Sequence, residues 1–374
     1  MFYRLSGVHH ANYVSDSRIF KVPADRNLAV FIFLIGLAAP FIIPSLYLNS
    51  YMLPWLIWTA AALGLNLVTG WAGQLHLGYA AVMAVGAYSA IHAARFGVPW
   101  EFALIIGGLT SSVIGSLFAF AALRVKGLYL ALTTLAMQFV MDWVLTHSPA
   151  ISGGSHASLQ SPTLAFLGQD ITSDTGFYYV AFGWCVLVTI FMLNLKRTGL
   201  GRALVAVREK DFAAAILGVN SFYYKILAFA TSSFIAGVSG ALLVATFFFL
   251  AAPEQFSVTV SIQVLAMVIV GGLGSVIGSY FGVALILLVP GLVNGLVVTV
   301  SEGLGMQINV ETLAHIPNAV YGALIVIILL IEPLGLGKLY GNIRDYLMVW
   351  PFDQFKKLGK CRCKKKLKPS TFCP

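Results

Sequence analysis

Of 374 residues, 59% are hydrophobic and only 10% are charged, with a mean hydropathy of +0.87. A soluble domain carries about 25% charged residues, so a soluble globular protein is excluded. The net charge of +9 alone would admit a nucleic-acid partner, but its distribution along the chain removes that need.

Apolar runs of about twenty residues recur along the chain and do not alternate, which points to membrane-spanning helices rather than a barrel. A polar lead-in, residues 1–27, carries Arg4, Arg18, Lys21 and Arg26. It does not read as a secretory signal, and the apolar run behind it is of spanning length and is expected to be retained. Ten spans are expected in order: Leu28–Leu48, Tyr51–Val68 after a minimal Asn49–Ser50 turn, Leu75–Ala94, Phe102–Leu123 and Leu128–Thr146. After a polar loop, His147–Gly176, come Phe177–Leu195, Ile226–Ala251, Ser257–Val270, Ser275–Val300 and Ile316–Ile331. The transmembrane part is thus 28–331, and 332–374 is a basic tail.

Alternation from a cytoplasmic N-terminus places 22 of the 23 Lys and Arg on the inner side, with Arg95 the exception. A wrong span count would scatter these charges, so the pattern favours ten spans with both termini cytoplasmic. The six outer carboxylates are Glu101, Asp170, Asp174, Glu254, Glu302 and Glu311. The positive charge reports topology, and no nucleic acid is called for. The expected fold is all-α and polytopic.

Between the sixth and seventh spans, 196–225 is the one long charged passage inside the apolar region. Its stretch Arg202–Leu217 sets Leu204, Val207, Phe212 and Ala215 at helical spacing among charges, the pattern of a short amphipathic helix at a membrane surface. Small residues recur every four positions at Gly274, Gly278 and Gly282, and at Ser233, Gly237 and Ala241, a spacing that lets helices approach closely in lipid. Packing is the expected role of Gly237, Gly274, Gly278 and Gly282.

No catalytic constellation is present: there is no HExxH, no paired-Cys metal spacing and no Walker A, so no metal or cofactor is expected. The four cysteines (Cys185, Cys361, Cys363, Cys373) form no disulfide framework. Ion-coupled carriers keep ionisable groups within their spans, and here Asp142 alone qualifies, toward the outer end of the fifth span. Asn66, Gln74, His76 and Tyr79 bracket the GWAGQ break, where they either line a polar route or satisfy backbone groups freed at Gly70 and Gly73.

The stretch LNLVTGWAGQLHLGYAAVMAVGAY resembles the signature of permeases in ATP-driven importers of branched-chain amino acids. The likeness continues through LRVKGLYLALTTLA, ISGG, GLGRALVAVREKDFAAAILGVN, KILAFATSSFIAGVSGAL, MVIVGGLGSVIGSYFGVAL and EPLGLG. It runs in order from about Leu56 to Gly337, and is nearest to the M-type subunit of the leucine/isoleucine/valine system. The resemblance implies a non-enzymatic pathway subunit in a bacterial inner membrane. Its implied partners are lipid, a second permease subunit, two cytoplasmic ATPases that hydrolyse the ATP, and a periplasmic binding protein docking on the outer face. It also implies that the ATPases grip a cytoplasmic helix mapping onto Arg202, Arg208, Glu209, Ala214 and Gly218. Substrate-pathway candidates remain Asn66, Gln74, His76, Tyr79 and Asp142. The family usually shows Ser and His where this chain has His76 and Tyr79, a departure compatible with a different solute preference. The superfamily includes urea and amide permeases and carriers of other small amino acids. A self-sufficient secondary carrier is disfavoured by the scarcity of buried ionisable groups.

Overall fold

A computed structural model describes residues 23–123, 128–154, 158–166, 169–171, 173–303, 322–323, 326–327, 330 and 335–349. They fall in two compact units, 33–338 and, among the described residues, 23–32 with 339–349; everything below concerns the first unit unless stated. Arg124, Lys126, Glu311, most of the expected span Ile316–Ile331 and the tail beyond 349 lie outside the described residues.

Besides a single turn at Pro149–Ser152, the described helices are α1 (Pro23–Ile42), α2 (Ser45–Trp71), α3 (Tyr79–Arg95), α4 (Trp100–Ala122), α5 (Leu128–His147) and α6 (Asp174–Arg197). They continue as α7 (Gly199–Glu209), α8 (Asp211–Ile216), α9 (Ser221–Phe248), α10 (Pro253–Gly271), α11 (Val276–Gly303) and α12 (Leu336–Val349). Six of them, α2, α4, α5, α6, α9 and α10, are long and apolar enough to cross a membrane, and shorter apolar stretches occur at Arg26–Ile42 and Val276–Val289. The chain is a multi-pass helical membrane protein.

Several expected boundaries move. The break after the first span falls at Ile43–Pro44, because proline supplies no N–H and disfavours helix in the residue before it. Asn49 and Ser50 therefore lie inside helix, within a π-helical turn Leu48–Met52. The third helix starts at Tyr79, leaving Gln74 and His76 in non-helical chain. The amphipathic passage is two helices, split at Lys210, whose extended backbone (φ −152°, ψ 94°) ends α7 and opens α8. The tail contains a helix, α12, where only a polar extension was expected. The polar loop makes short antiparallel pairings: Leu159–Gln160 (β1) with Leu250–Ala251 (β4) just after α9, and, within the loop, Ala165–Phe166 (β2) with Gln169–Asp170 (β3). Two-residue strands are too short for an alternation pattern to reveal them.

Helices α3, α4 and α9 pack as a tight trio, with α2 buried against α6, α9, α10 and α11. Absent side chains make the close approach possible. A Cβ on Gly237 would meet the Ser111 side chain at 2.5 Å and the Gly107 carbonyl at 2.8 Å, and one on Gly107 would meet the Gly86 carbonyl at 2.7 Å. Gly278 and Gly282 likewise seat α11 on α10, facing Gly271 and Met267. Gly274 has a different role: it precedes α11 with φ +86° and belongs to the turn between α10 and α11. At the end of α3 away from its first residue, Arg95 donates to the Gln160 carbonyl (3.0 Å) and His92 pairs with the Ile151 carbonyl (2.7 Å), so the polar loop covers that end.

Candidate functional site: a junction of two helix breaks

Two interruptions of helix, one at Ala72–Gly78 between α2 and α3 and one at Gly272–Ser275 between α10 and α11, meet at one end of the bundle. Helix α2 reaches the first through a π-helical turn, Leu67–Trp71, a local widening that recurs at functional sites. Backbone groups freed inside a bilayer need internal partners, and the two breaks supply them to each other. The buried Asn66 donates from Nδ2 to the Ser275 carbonyl (3.0 Å) and to Ser279 Oγ (2.9 Å), while its Oδ1 accepts from Gly274 N–H (2.7 Å). Trp71 Nε1 donates to the Gly274 carbonyl (3.1 Å). Gly70 lies so close to Gly274 that a Cβ on it would meet Gly274 Cα at 2.9 Å and strike Asn66 Oδ1 and Gly274 N as well.

The start of α3 is held just as fully. Its leading N–H groups have no intrahelical acceptor, and neighbours provide one: Leu77 N–H donates to Thr134 Oγ1 (3.0 Å), Ala80 N–H to Ser261 Oγ (2.8 Å) and Ala81 N–H to Gln138 Oε1 (2.8 Å). Gln138 Nε2 completes the network by donating to the Phe256 carbonyl (2.7 Å). Sequence reading missed Gln138, Thr134 and Ser261; a buried amide in the apolar run of α5 was the one available signal.

Of the expected pathway residues, Asn66, Gln74, His76 and Tyr79 do gather at the first break. Their polar atoms are spent in three ways. Asn66 bridges the breaks. Gln74 folds onto its own turn, its Nε2 donating to the Ala72 carbonyl (3.0 Å). Tyr79 Oη donates to the Ala61 carbonyl (2.7 Å), lying over the bare face of Gly64. His76 is buried between the rings of Tyr79 (centroids 5.8 Å) and Phe229 (5.2 Å), and neither ring nitrogen meets a partner among the described residues. Asp142 stands apart, on a partly exposed flank of α5 one turn beyond Gln138.

The charged passage docks on this junction. Thr198 caps α7, accepting from Gly201 N–H (3.4 Å), and the helix turns Leu204 and Val207 inward, Leu204 joining a buried cluster with Trp71, Leu67 and Phe229. Arg208 Nη1 donates to the Gly70 carbonyl, and the Arg208 side chain lies over Gly73, whose absent Cβ would meet its Cγ at 2.9 Å. Helix α8 is tied to α9 by the Asp211–Lys225 ion pair (2.8 Å). Gly218, with φ +84°, ends this passage in a left-handed turn and has open space around it. Arg202 and Glu209 are exposed. Ala214, expected to meet a partner, is instead buried (2% exposed), whereas Phe212 (80%), Ile216 (71%) and Leu217 (82%) stand outward. Gly70→Ala is expected to wedge the junction apart, because backbone stands where its Cβ would go. The cost is about 1–3 kcal/mol, read as a lowered thermal midpoint in detergent.

Residues 47–331 match the family of permease components of branched-chain amino acid transport systems. The chain is 33% identical over 244 residues to the high-affinity branched-chain amino acid transport permease protein LivM of Salmonella typhimurium, and 34% identical over 244 residues to that of Escherichia coli. Each alignment covers 59% of this chain and 57% of the relative, so the chain matches little more than half the length of these curated relatives. A probable LivM protein of Methanocaldococcus jannaschii is 25% identical over 234 residues, covering 63% of this chain and 67% of that protein. Among solved structures, PsaBC from Streptococcus pneumoniae in complex with Fab aligns with a TM-score of 0.42 and 11% identity, covering 80% of this chain and 95% of that one.

Proposed function

Because this chain belongs to the permease-component family of branched-chain amino acid transport systems, we propose that it forms the translocation pathway of an ATP-driven importer of branched-chain or related amino acids. In this reading it is a non-catalytic subunit of a bacterial inner membrane, working with a second permease subunit, two cytoplasmic ATPases and a periplasmic binding protein. Ten spans with both termini cytoplasmic accommodate the charge distribution: α7, α8 and both helix breaks share one end, and Arg95 with the polar loop lies at the other end of α3. The end bearing α7 is then cytoplasmic, following the positive-inside tendency.

The observation that carries the reading is the α7–α8 pair. A short two-helix arm rests on the junction through its inner face and presents Phe212, Ile216 and Leu217 outward among Arg202, Glu209 and Lys210. Outward apolar side chains beside exposed charges, outside any spanning segment, have the composition of a protein-docking surface. An ATPase seated there would push on the permease through α7. Asp142 is proposed to face the outer mouth of the route. A pathway with so few fixed charges suits a zwitterion bearing an apolar side chain, since a deep electrostatic trap would hold it.

The test is reconstitution of the purified complex in proteoliposomes with binding protein outside and ATP inside. ATP-dependent accumulation of radiolabelled leucine, isoleucine or valine is expected. Uptake that persists without ATP, or a purified permease that carries no ATPase with it, would replace this reading with a secondary carrier. ATP-dependent uptake of urea, an amide or another small amino acid in place of these three would keep the importer and change its solute.

A further inference from the structure

We propose that Arg208 is the positioning residue that couples the α7–α8 arm to the junction of the two helix breaks, transmitting movement of the arm into the pathway. The inference rests on the importer reading. It deepens that reading by assigning the transmission step to one side chain.

Arg208 occupies the last turn of α7 and is exposed over much of its surface, yet Nη1 reaches inward to the Gly70 carbonyl. That carbonyl belongs to the π-helical turn ending α2, where the chain already departs from regular helix. On the far side of Gly70 stands Gly274, and Arg208 Nη1 also lies 3.6 Å from the position a Gly274 Cβ would occupy. One side chain therefore bonds the last turn of α2, lays its stem over the first break at Gly73 and lies beside the second at Gly274. Beside it α7 buries Leu204 and Val207, while the arm's Asp211–Lys225 ion pair runs to α9 and reaches neither break. Apolar contacts resist separation but slide with little penalty, whereas a charge-assisted hydrogen bond is directional and short. Arg208 is thus suited to pull as well as push.

The glycines around it fit the same role. Gly73 takes φ +67° and leaves room for the Arg208 stem, and Gly70 and Gly274 leave room for each other. A break made of glycines can absorb the φ/ψ change of a hinge. Arg208 grips the widened last turn of α2 that leads into the break, so a small displacement of α7 is delivered next to where the chain can respond.

The experiment uses the full reconstituted complex and measures leucine uptake and ATP hydrolysis in the same vesicles, expressed as solute moved per ATP. For R208M, which keeps the length of the stem and removes the donors, this ratio is expected to fall about tenfold, a usual magnitude for coupling between sites. Permease abundance and ATPase co-purification should stay near wild type. R208K, which restores a charged donor, should recover a substantial part of the ratio. Should R208M fail to assemble, R208Q provides the same comparison. A ratio unchanged in the variants, whether or not abundance falls, would overturn the proposal and leave Arg208 as ordinary packing. Loss of ATP dependence in the wild type would instead overturn the importer reading, so the two failures are distinguishable.

Discussion

Replacing Asn66 with leucine is expected to destabilise the protein by about 2–4 kcal/mol and to abolish measurable uptake, although both side chains branch at Cγ. The size of the effect follows from what is orphaned. Gly274 N–H has the fully buried Asn66 Oδ1 as its acceptor (2.7 Å), in a part-buried, glycine-lined junction. A buried donor left unpaired costs about 1–3 kcal/mol, and the two bonds donated from Nδ2 to the Ser275 carbonyl and Ser279 Oγ are lost with it. Ser275 keeps other donors to its carbonyl, from the Ser279 hydroxyl (3.2 Å) and the Ser279 N–H (3.2 Å), which is why the total stays below three full penalties. Asn66→Asp preserves the acceptor but sets a carboxylate against the Ser275 carbonyl, and is expected to be at least as damaging. Gln74→Ala is the informative control. Its amide donates only to Ala72 two residues away, so uptake and thermal midpoint should remain near wild type. Uptake by Asn66→Leu at wild-type rate, with an unchanged midpoint, would show that the two breaks do not depend on each other.

That contrast between Asn66 and Gln74 also marks where sequence reading reaches its limit. Both residues bracket the GWAGQ break and carry the same chemical groups. What separates them is whether another segment, more than two hundred positions away, arrives within reach. Span positions were legible because apolar length is a local property, and α10 and α11 fall close to their expected ranges. Pro44 ends helix where its own geometry dictates, and a local reading that weighed polarity over proline set the break at Asn49–Ser50 instead. Glycine spacing gave Gly237, Gly278 and Gly282 their packing roles, but Gly274, on the same four-residue rhythm, lies in a turn, since rhythm does not reveal where a helix begins. The amphipathic arm was visible in its charges, whereas the side on which each residue stands depends on the break at Lys210. Ala214 turned inward and Phe212, Ile216 and Leu217 turned outward for that reason.

The outward trio carries the second large expectation. Phe212→Glu combined with Leu217→Glu should reduce ATP-driven uptake by a factor of about 100 or more, while the permease inserts and accumulates normally. Both side chains are more than three-quarters exposed, so the folded permease alone gives up almost no packing when they change. Truncating buried anchors at an interface costs about 2 kcal/mol or more each, and two carboxylates in an apolar seat add the penalty of burying unpaired charge. Two such losses together, about 4 kcal/mol, more than account for a factor of 100, at about 1.4 kcal/mol for each tenfold. Arg202 and Glu209 are exposed charges of α7, and on the proposed surface such charges govern rates of encounter more than affinity, so Glu209→Gln should weaken ATPase retention less than the double glutamate variant. Gly218→Ala acts by another route: nothing crowds its position, but φ +84° is strained for alanine by about 1 kcal/mol. It should loosen the turn between α8 and α9 without removing the docking surface. Co-purification of the ATPase separates these cases. A double glutamate variant that retained its ATPase and transported normally would move the docking surface away from α8, whereas loss of the ATPase with the permease intact would place that surface on Phe212 and Leu217.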